Sequence, residues 1–246
     1  MHAYRSSIIF MLLFTVGSIY LTGCSPKQLV STSQEISIGR QASQEVESQY
    51  KVDPDTKLNA MVNNIGQNLV RFSDRQDITY TFKVLDVKDV NAFSLPGGWV
   101  YINKGLIDET NGNRDQLAGV IAHEIGHIAA RHHAEMIGRQ TYASILIGTL
   151  TKGQMTQYAS IFANLSLLQW SRQQEYQADR LGIIEMYRSK MYDPDGLINF
   201  FNNLLKIEGK PPSQFEQIFR THPVTKDRIV KARQLLADLK SGKEKP

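Results

Sequence analysis

Four of the chain's six histidines lie in the stretch IAHEIGHIAARHH, residues 121–133. Its first half holds His123 and His127, four residues apart, with Glu124 directly after the first histidine. On an α-helix, residues four apart lie about 40° apart around the axis and ~6 Å along it, so both imidazoles face one point. Because imidazole nitrogens bind zinc, the spacing predicts two ligands of one metal ion.

Glu124 has the position of a general base rather than that of a ligand. A metal lowers the pKa of a nearby water, and a carboxylate beside that water takes its proton as it attacks a peptide carbonyl. Apolar neighbours, among them Val120 and Ile125, are typical of a buried helix. The pattern H-E-x-x-H therefore indicates a metallopeptidase.

Zinc usually takes at least three protein ligands, and two residues compete for the third place. His133 stands six residues after His127, as in the metzincin pattern H-E-x-x-H-x-x-G-x-x-H. That pattern ends its helix at a glycine, but Ala130 stands there and favours a continued helix. In a continued helix His133 lies about 80° and ~15 Å away from His123, out of reach. We then expect His132 and His133 to form a polar helix end, with the metzincin arrangement as the alternative.

The second candidate is Glu175, in the helical stretch SRQQEYQADR, residues 171–180. Glu175 and Asp179 stand four residues apart and share a helix face. Glu175 supplies a carboxylate ligand, and Asp179 accepts a hydrogen bond from the far nitrogen of a zinc histidine. Two histidines and one carboxylate suit Zn²⁺ best among common ions, so we expect one zinc ion.

The composition indicates one globular domain with a small appendage. The chain has 246 residues, of which 41% are hydrophobic and 21% charged. The net charge is +4, and the basic residues are spread along the chain without an aromatic-interleaved patch. This argues against a nucleic-acid partner.

The N-terminus has the features of an export signal. Arg5 precedes IIFMLLFTVGSIYL, an apolar run shorter than the ~20 residues of a membrane-spanning helix. The run ends in LTGC, which resembles the lipobox of bacterial lipoproteins, with Cys24, the only cysteine, as the acylated residue. We expect a signal peptide at 1–23, a lipidated tether at 24–34 and the domain at 35–246. The lipid would hold the protein at the periplasmic face of the outer membrane, with the inner membrane and an ordinary secretory signal as alternatives.

Periodicity and turn signals predict an α+β fold: a mainly helical metallopeptidase with a small antiparallel sheet beside the active-site helix. The apolar segment 142–168 fits either two helices under the active site or a flap that leans on lipid or on an unfolded client. The predicted helices cover 35–50, 55–72, 114–138, a region up to about 188, 195–206 and a last helix to about 239, and the predicted strands cover 78–86, 90–96 and 99–102.

Taken in order, HEIGH, SRQQEYQAD and THPVTKDR resemble the gluzincin zinc metallopeptidases of the HtpX and CAAX-prenyl-protease type. The layout is similar to their small periplasmic lipoprotein branch, BepA-like and LoiP-like, without the helical-repeat domain. The resemblance implies a zinc endopeptidase that acts on misfolded or misassembled envelope proteins. It assigns His123, His127 and Glu175 as ligands, Glu124 as general base and Asp179 as the support of a ligand histidine.

The resemblance also assigns Asn91 and Ala92 to an edge strand above the active-site cleft. An exposed strand edge binds extended polypeptide through backbone hydrogen bonds without demanding a sequence, and the Asn91 side chain would clasp a substrate amide. Unfolded polypeptides are therefore the expected partners.

Two residues near the C-terminus complete the expected site. His222, in a loop, would donate to the developing oxyanion, or, as the resemblance allows, bind zinc as a fourth ligand and keep the enzyme latent. Arg228 would brace this loop by pairing with an acid such as Asp179. The competing class is a latent or chaperone-like lipoprotein that binds clients without cutting them, although an intact Glu124 argues against complete loss of activity.

Overall fold

The computed structural model describes residues 25–146, 154–164, 169–207, 209 and 211–246. Helices dominate this part of the chain, and a short 3-10 helix, Pro26–Leu29, precedes the first of them. None of the described helices is long and apolar enough to cross a bilayer. The helices are α1 (Thr32–Gln49), α2 (Thr56–Val70), α3 (Lys104–Glu109), α4 (Arg114–Ala129), α5 (His132–Leu146), α6 (Gln154–Ala163), α7 (Arg172–Ser189), α8 (Asp195–Ile207), α9 (Glu216–Thr221) and α10 (Lys226–Ser241).

Three strands form a mixed sheet, in the order β1 (Thr81–Leu85), β3 (Trp99–Asn103), β2 (Ala92–Leu95). The α+β class is therefore confirmed, but the expectation of an antiparallel sheet is wrong in one pairing. β2 and β3 form the predicted antiparallel hairpin, turning at Gly97 and Gly98, which both have positive φ. β3 lies between β2 and β1 and runs parallel to β1. The chain after β1 therefore does not enter the sheet beside β1; it enters one position farther away, as β2, and β3 fills the place between them.

Helix α4 lies at the centre of the fold. Every residue from Leu117 to Ile128 is buried, and α2, α7, α8 and strand β2 surround the helix. α7 approaches it very closely: a Cβ at Gly126 would lie 2.6 Å from the Ala178 carbonyl oxygen, and one at Gly182 would lie 2.9 Å from the His123 nitrogen. The H-E-x-x-H helix α4 therefore packs almost backbone to backbone against α7, the helix that carries Glu175 and Asp179.

The predicted helix 114–138 is two helices. α4 ends at Ala129, and Arg131 adopts a left-handed conformation, with φ 59°, before α5 starts at His132. Arg131 donates to the Val30 carbonyl and pairs with the buried Glu35 of α1, so contacts distant in sequence hold the break. This turn changes the direction of the chain after Ala130, and it overturns the expected continuous helix.

Parts of two predictions lie outside the described residues. These parts are Cys24, with the signal peptide before it, and residues 147–153 and 165–168 of the apolar segment 142–168. The predicted domain boundary at residue 35 stays a prediction. Within the described part, the Pro26 carbonyl lies against Gly138 of α5, where a Cβ would lie 1.9 Å from its oxygen.

Candidate metal centre

Four buried side chains bring their ligand atoms together within 4.8 Å of one another. α4 supplies His123 and His127, and α7 supplies Glu175. The fourth side chain is His222, at the end of α9 and just before α10. The structure therefore brings together the three predicted ligands and the predicted loop histidine.

The spacing of these atoms fits one tetrahedral ion. His127 Nε2 lies 3.1 Å from His123 Nε2 and 3.2 Å from Glu175 Oε1. His222 Nδ1 lies 3.3 Å from His123 Nε2 and 3.1 Å from Glu175 Oε1. Zinc–nitrogen bonds of 2.0–2.1 Å place tetrahedral ligands about 3.3–3.4 Å apart. Nitrogen and carboxylate donors at these distances fit a zinc ion.

Asp179 supports His123 from behind. Its Oδ1 lies 2.9 Å from His123 Nδ1, so the imidazole presents Nε2 to the cluster. Arg228 holds this carboxylate with two hydrogen bonds, Nε to Oδ2 at 2.8 Å and Nη2 to Oδ1 at 2.7 Å. Burial raises the pKa of Asp179, but Arg228 outweighs burial and the pKa is lowered. The two predicted supporting residues thus contact each other and the site.

Arg228 also connects the loop of His222 to the ligand Glu175. Its Nη1 donates to the Pro223 carbonyl over 3.0 Å, next to His222. The same nitrogen lies 2.5 Å from Glu175 Oε2, an ion pair without hydrogen-bond geometry. The guanidinium lies 4.4 Å over the ring of Phe201. One buried cation therefore bridges two carboxylates and braces the loop.

The protonation states of His127 and Glu175 suit metal binding. Burial lowers the pKa of His127 well below its ordinary value, against the opposing effect of the Glu175 carboxylate. Burial raises the pKa of Glu175, but Arg228 and the nearby histidines outweigh it and hold the pKa well below its ordinary value. At neutral pH the imidazole of His127 is therefore neutral and Glu175 is ionised, the forms that bind a metal.

Glu124 lies beside the cluster between two polar partners. Ser94 of β2 donates a hydrogen bond from Oγ to Glu124 Oε2 over 2.8 Å. The other carboxylate oxygen lies 3.4 Å from His222 Nε2. The carboxylate thus has a fixed orientation next to the donor cluster, as a general base requires. Ser94 is a site residue that the sequence interpretation missed.

His132 and His133 do not form the expected polar helix end, since both are buried. His133 Nε2 lies 2.9 Å from the Ser94 carbonyl oxygen and takes no place in the described donor cluster, contrary to the metzincin alternative. His132 Nδ1 lies 2.9 Å from His127 Nδ1. The break at Arg131 turns both rings inward, and the sequence carries no local signal for that break.

Asn91 and Ala92 lie where the sheet meets the site. β2 is at one end of the described strand order, as expected for an edge strand, but all four of its residues are buried rather than exposed. Ala92 lines an apolar pocket together with Glu124 and His222. Asn91, however, is fully buried, and its side-chain amide has no hydrogen-bond partner among the described residues. In this conformation the Asn91 side chain is not open to a substrate.

Comparison with known proteins decides the family. Residues 56–236, most of the chain, match the family described as Peptidase family M48. The chain belongs to peptidase family M48. The match spans every element from α2 to most of α10, including all four cluster residues.

Individual M48 relatives agree with this assignment. The beta-barrel assembly-enhancing protease of Escherichia coli (strain K12) is 27% identical over 227 residues, covering 86% of this chain and 45% of that protein. Metalloprotease LoiP of the same organism is 28% identical over 216 residues, covering 81% and 79%. Mitochondrial metalloendopeptidase OMA1 of Schizosaccharomyces pombe is 28% identical over 223 residues, covering 87% and 65%. The chain thus spans about half the length of the beta-barrel assembly-enhancing relatives, and the predicted BepA-like and LoiP-like resemblance is confirmed.

Proposed function

We propose that this M48 chain is a zinc-dependent endopeptidase that cleaves misfolded or misassembled envelope proteins. The observation that carries the proposal is the buried set of donors with the Glu124 carboxylate fixed beside it. His123, His127 and Glu175 would hold one zinc ion. Bound there, zinc would supply Lewis acidity, which activates a water and polarises the peptide carbonyl.

The chain's own residues account for the proton transfers. Glu124 takes the proton of the attacking water and passes it to the leaving amine, and Ser94 keeps the carboxylate turned toward the reaction. Asp179 and Arg228 keep His123 in the tautomer that presents Nε2. These are the roles expected of a hydrolase that uses no covalent intermediate.

An unfolded polypeptide suits the surroundings of Glu124. The apolar pocket beside Glu124 has walls from α8, including Leu197, Phe200 and Leu204, and from Ala92 of the edge strand. Unfolded chains expose the apolar side chains that such a pocket takes, and their extended backbone matches a strand edge. The name of the beta-barrel assembly-enhancing relative also supports envelope proteins as substrates.

We further propose that lipid on Cys24 anchors the protein at the periplasmic face of the outer membrane. The LTGC stretch supports acylation, and only one residue separates Cys24 from Pro26, whose carbonyl lies against α5. A short connection would keep the active site near the membrane. Cys24→Ser should move the protein from the membrane to the soluble fraction; unchanged fractionation would contradict the anchor.

Latency is the second candidate function, and one observation favours it. His222 Nδ1 lies within the donor cluster, where it would complete the coordination and leave no place for a water. A chain in this state would bind clients without cutting them until the loop moved. The position of His222 between Glu175 and Glu124 also suits an oxyanion donor after such a movement.

The test of the proposed function is the metal content of the purified protein together with cleavage of unfolded casein. The parent should hold about one zinc per chain, and Glu175→Ala should lose both zinc and activity. Glu47→Ala is the matched control and should retain the zinc, because this carboxylate pairs with Lys83 and takes no place in the donor cluster. A parent without bound zinc would contradict the proposal.

A further inference from the structure

Behind the cluster, a second buried histidine faces the ligand His127. His132 Nδ1 lies 2.9 Å from His127 Nδ1, and His132 Nε2 lies 3.2 Å from Gln177 Oε1. Gln177 is on α7, between Glu175 and Asp179. A row of three side chains therefore leads from the surface of α7 to the back of a ligand.

The number of protons on the two imidazoles determines which atom donates and which accepts in each hydrogen bond of this row. Two imidazole nitrogens 2.9 Å apart share a single proton. For His127 to offer the lone pair of Nε2 to a metal, its proton must be on Nδ1, and His132 Nδ1 must accept it. The proton of His132 is then on Nε2, where Gln177 Oε1 accepts it.

The orientation of the Gln177 amide is linked to the position of the proton on His127. With its nitrogen toward His132, the amide would donate, and every donor in the row would reverse. His127 would then carry its proton on Nε2 and have no lone pair for the metal. The carbonyl oxygen of Gln177, turned toward His132 Nε2, therefore favours the metal-binding tautomer of His127 through the intervening His132.

We propose that His132 and Gln177 are positioning residues that hold His127 in its metal-binding tautomer; this inference rests on the zinc site proposed above. The two ligand histidines are thus supported by different chemistry. His123 has the carboxylate of Asp179, whereas His127 has a neutral imidazole. Trp170, whose ring centroid lies 4.6 Å from that of His127, packs against this side of the ligand.

Charge explains why the second support is neutral. Arg228 already lies between the carboxylates of Glu175 and Asp179. A third buried carboxylate behind His127 would have no such cation, and an unpaired buried charge is costly. An imidazole supplies the acceptor without adding a charge.

The experiment measures zinc affinity of the full-length protein by competition with a chromophoric chelator. His132→Leu removes the acceptor and should weaken zinc binding about tenfold to a hundredfold. His132→Asn places an oxygen near the position of Nδ1 and should restore most of the affinity. Gln177→Leu should weaken binding less than His132→Leu, and Gln177→Glu, which keeps the acceptor, should bind as the parent does.

His133→Leu is the matched control, since His133 is the equally buried neighbour but contacts the Ser94 carbonyl instead of a ligand. It should retain the zinc affinity of the parent. Side-chain ¹⁵N NMR of the histidines should place the His132 proton on Nε2, a reading that does not depend on activity.

The outcomes separate the two proposals. A parent that binds no zinc contradicts the proposed function itself. If the parent binds zinc and His132→Leu binds it equally well, or His132→Asn binds as weakly as His132→Leu, the positioning role is overturned. Should His132→Leu fail to fold, Gln177→Leu tests the proposal instead, because a zinc affinity equal to that of the parent in this variant overturns the positioning role.

Discussion

Ser94 Oγ donates a hydrogen bond to Glu124 Oε2 over 2.8 Å, and this bond fixes the orientation of the proposed general base. The Ser94 carbonyl oxygen lies 2.9 Å from His133 Nε2, so α5 in turn holds the strand that carries the serine. β2 therefore positions the carboxylate of Glu124, besides the substrate-binding role proposed for its edge.

Ser94→Ala should lower kcat about tenfold without loss of zinc. A hydrogen bond to a charged group is worth ~1.5–3 kcal/mol, and its loss lets the carboxylate of Glu124 leave the productive orientation. The measurement is kcat on casein with zinc content determined beside it. Ser94→Thr keeps the hydroxyl and is the control; full activity in Ser94→Ala would contradict the positioning of Glu124 by Ser94.

His222→Ala should raise the rate of cleavage if the fourth donor causes latency. Three ligands remain in this variant, so zinc should stay bound, although less tightly, and the freed position admits a water. The rate and the zinc content are measured on the same sample. A fall of roughly 10²–10³ in kcat with zinc retained would instead identify His222 as an oxyanion donor and refute latency by this route.

Arg228→Met should destabilise the zinc-free protein by about 3–5 kcal/mol, because it leaves Asp179 and Glu175 as buried carboxylates without their cation. Urea unfolding measures the loss. Arg180→Met is the matched control: Arg180 pairs with Glu244 at the surface, and its loss should cost at most about 1 kcal/mol. Equal effects of the two variants would show that Arg228 is not the central cation of the site.

Glu185 predicts an unusual pH dependence of stability. This α7 carboxyl is buried, and burial raises its pKa well above the ordinary value, against the weaker opposing effects of the Ser73 hydroxyl and Arg188. The folded chain keeps a proton on Glu185 that the unfolded chain releases near pH 4.3. The contribution of Glu185 to the free energy of unfolding therefore decreases as pH rises from that value toward the folded pKa. The loss reaches about 1.4 kcal/mol for each pH unit in this window.

Glu185→Gln should remove this loss and make the protein more stable than the parent at pH 7–8. Denaturant unfolding at several pH values, expressed as the difference between variant and parent, isolates the contribution of Glu185. The exposed Glu216→Gln is the control and should leave the pH slope unchanged. A parallel pH dependence of parent and Glu185→Gln would show that Glu185 ionises in the folded state as it does in the unfolded chain.

The sequence predicted those parts of the site that depend on spacing within one helix. His123 and His127 follow from a spacing of four on α4, and Glu175 and Asp179 from the same spacing on α7. Geometry within a helix is fixed by its pitch, so these pairs could be read without knowing the fold. Arg228 was expected to pair with Asp179, and the two side chains do contact each other.

The features that the sequence did not predict depend on contacts between segments that are distant in the chain. The turn at Arg131 depends on Glu35 and on the Val30 carbonyl, roughly a hundred residues earlier in the chain, so the inward positions of His132 and His133 could not be read locally. The parallel pairing of β1 with β3 depends on where the chain between β1 and β2 crosses, which strand patterns do not encode.

Glu124→Gln is the decisive variant, because it removes the proposed base and leaves every proposed ligand in place. We predict that this variant, purified beside the parent, holds the same amount of zinc and has the same thermal stability to within a few degrees, but does not cleave casein. Cleavage by Glu124→Gln at the parental rate, with zinc bound, would show that Glu124 is not the general base of a zinc endopeptidase.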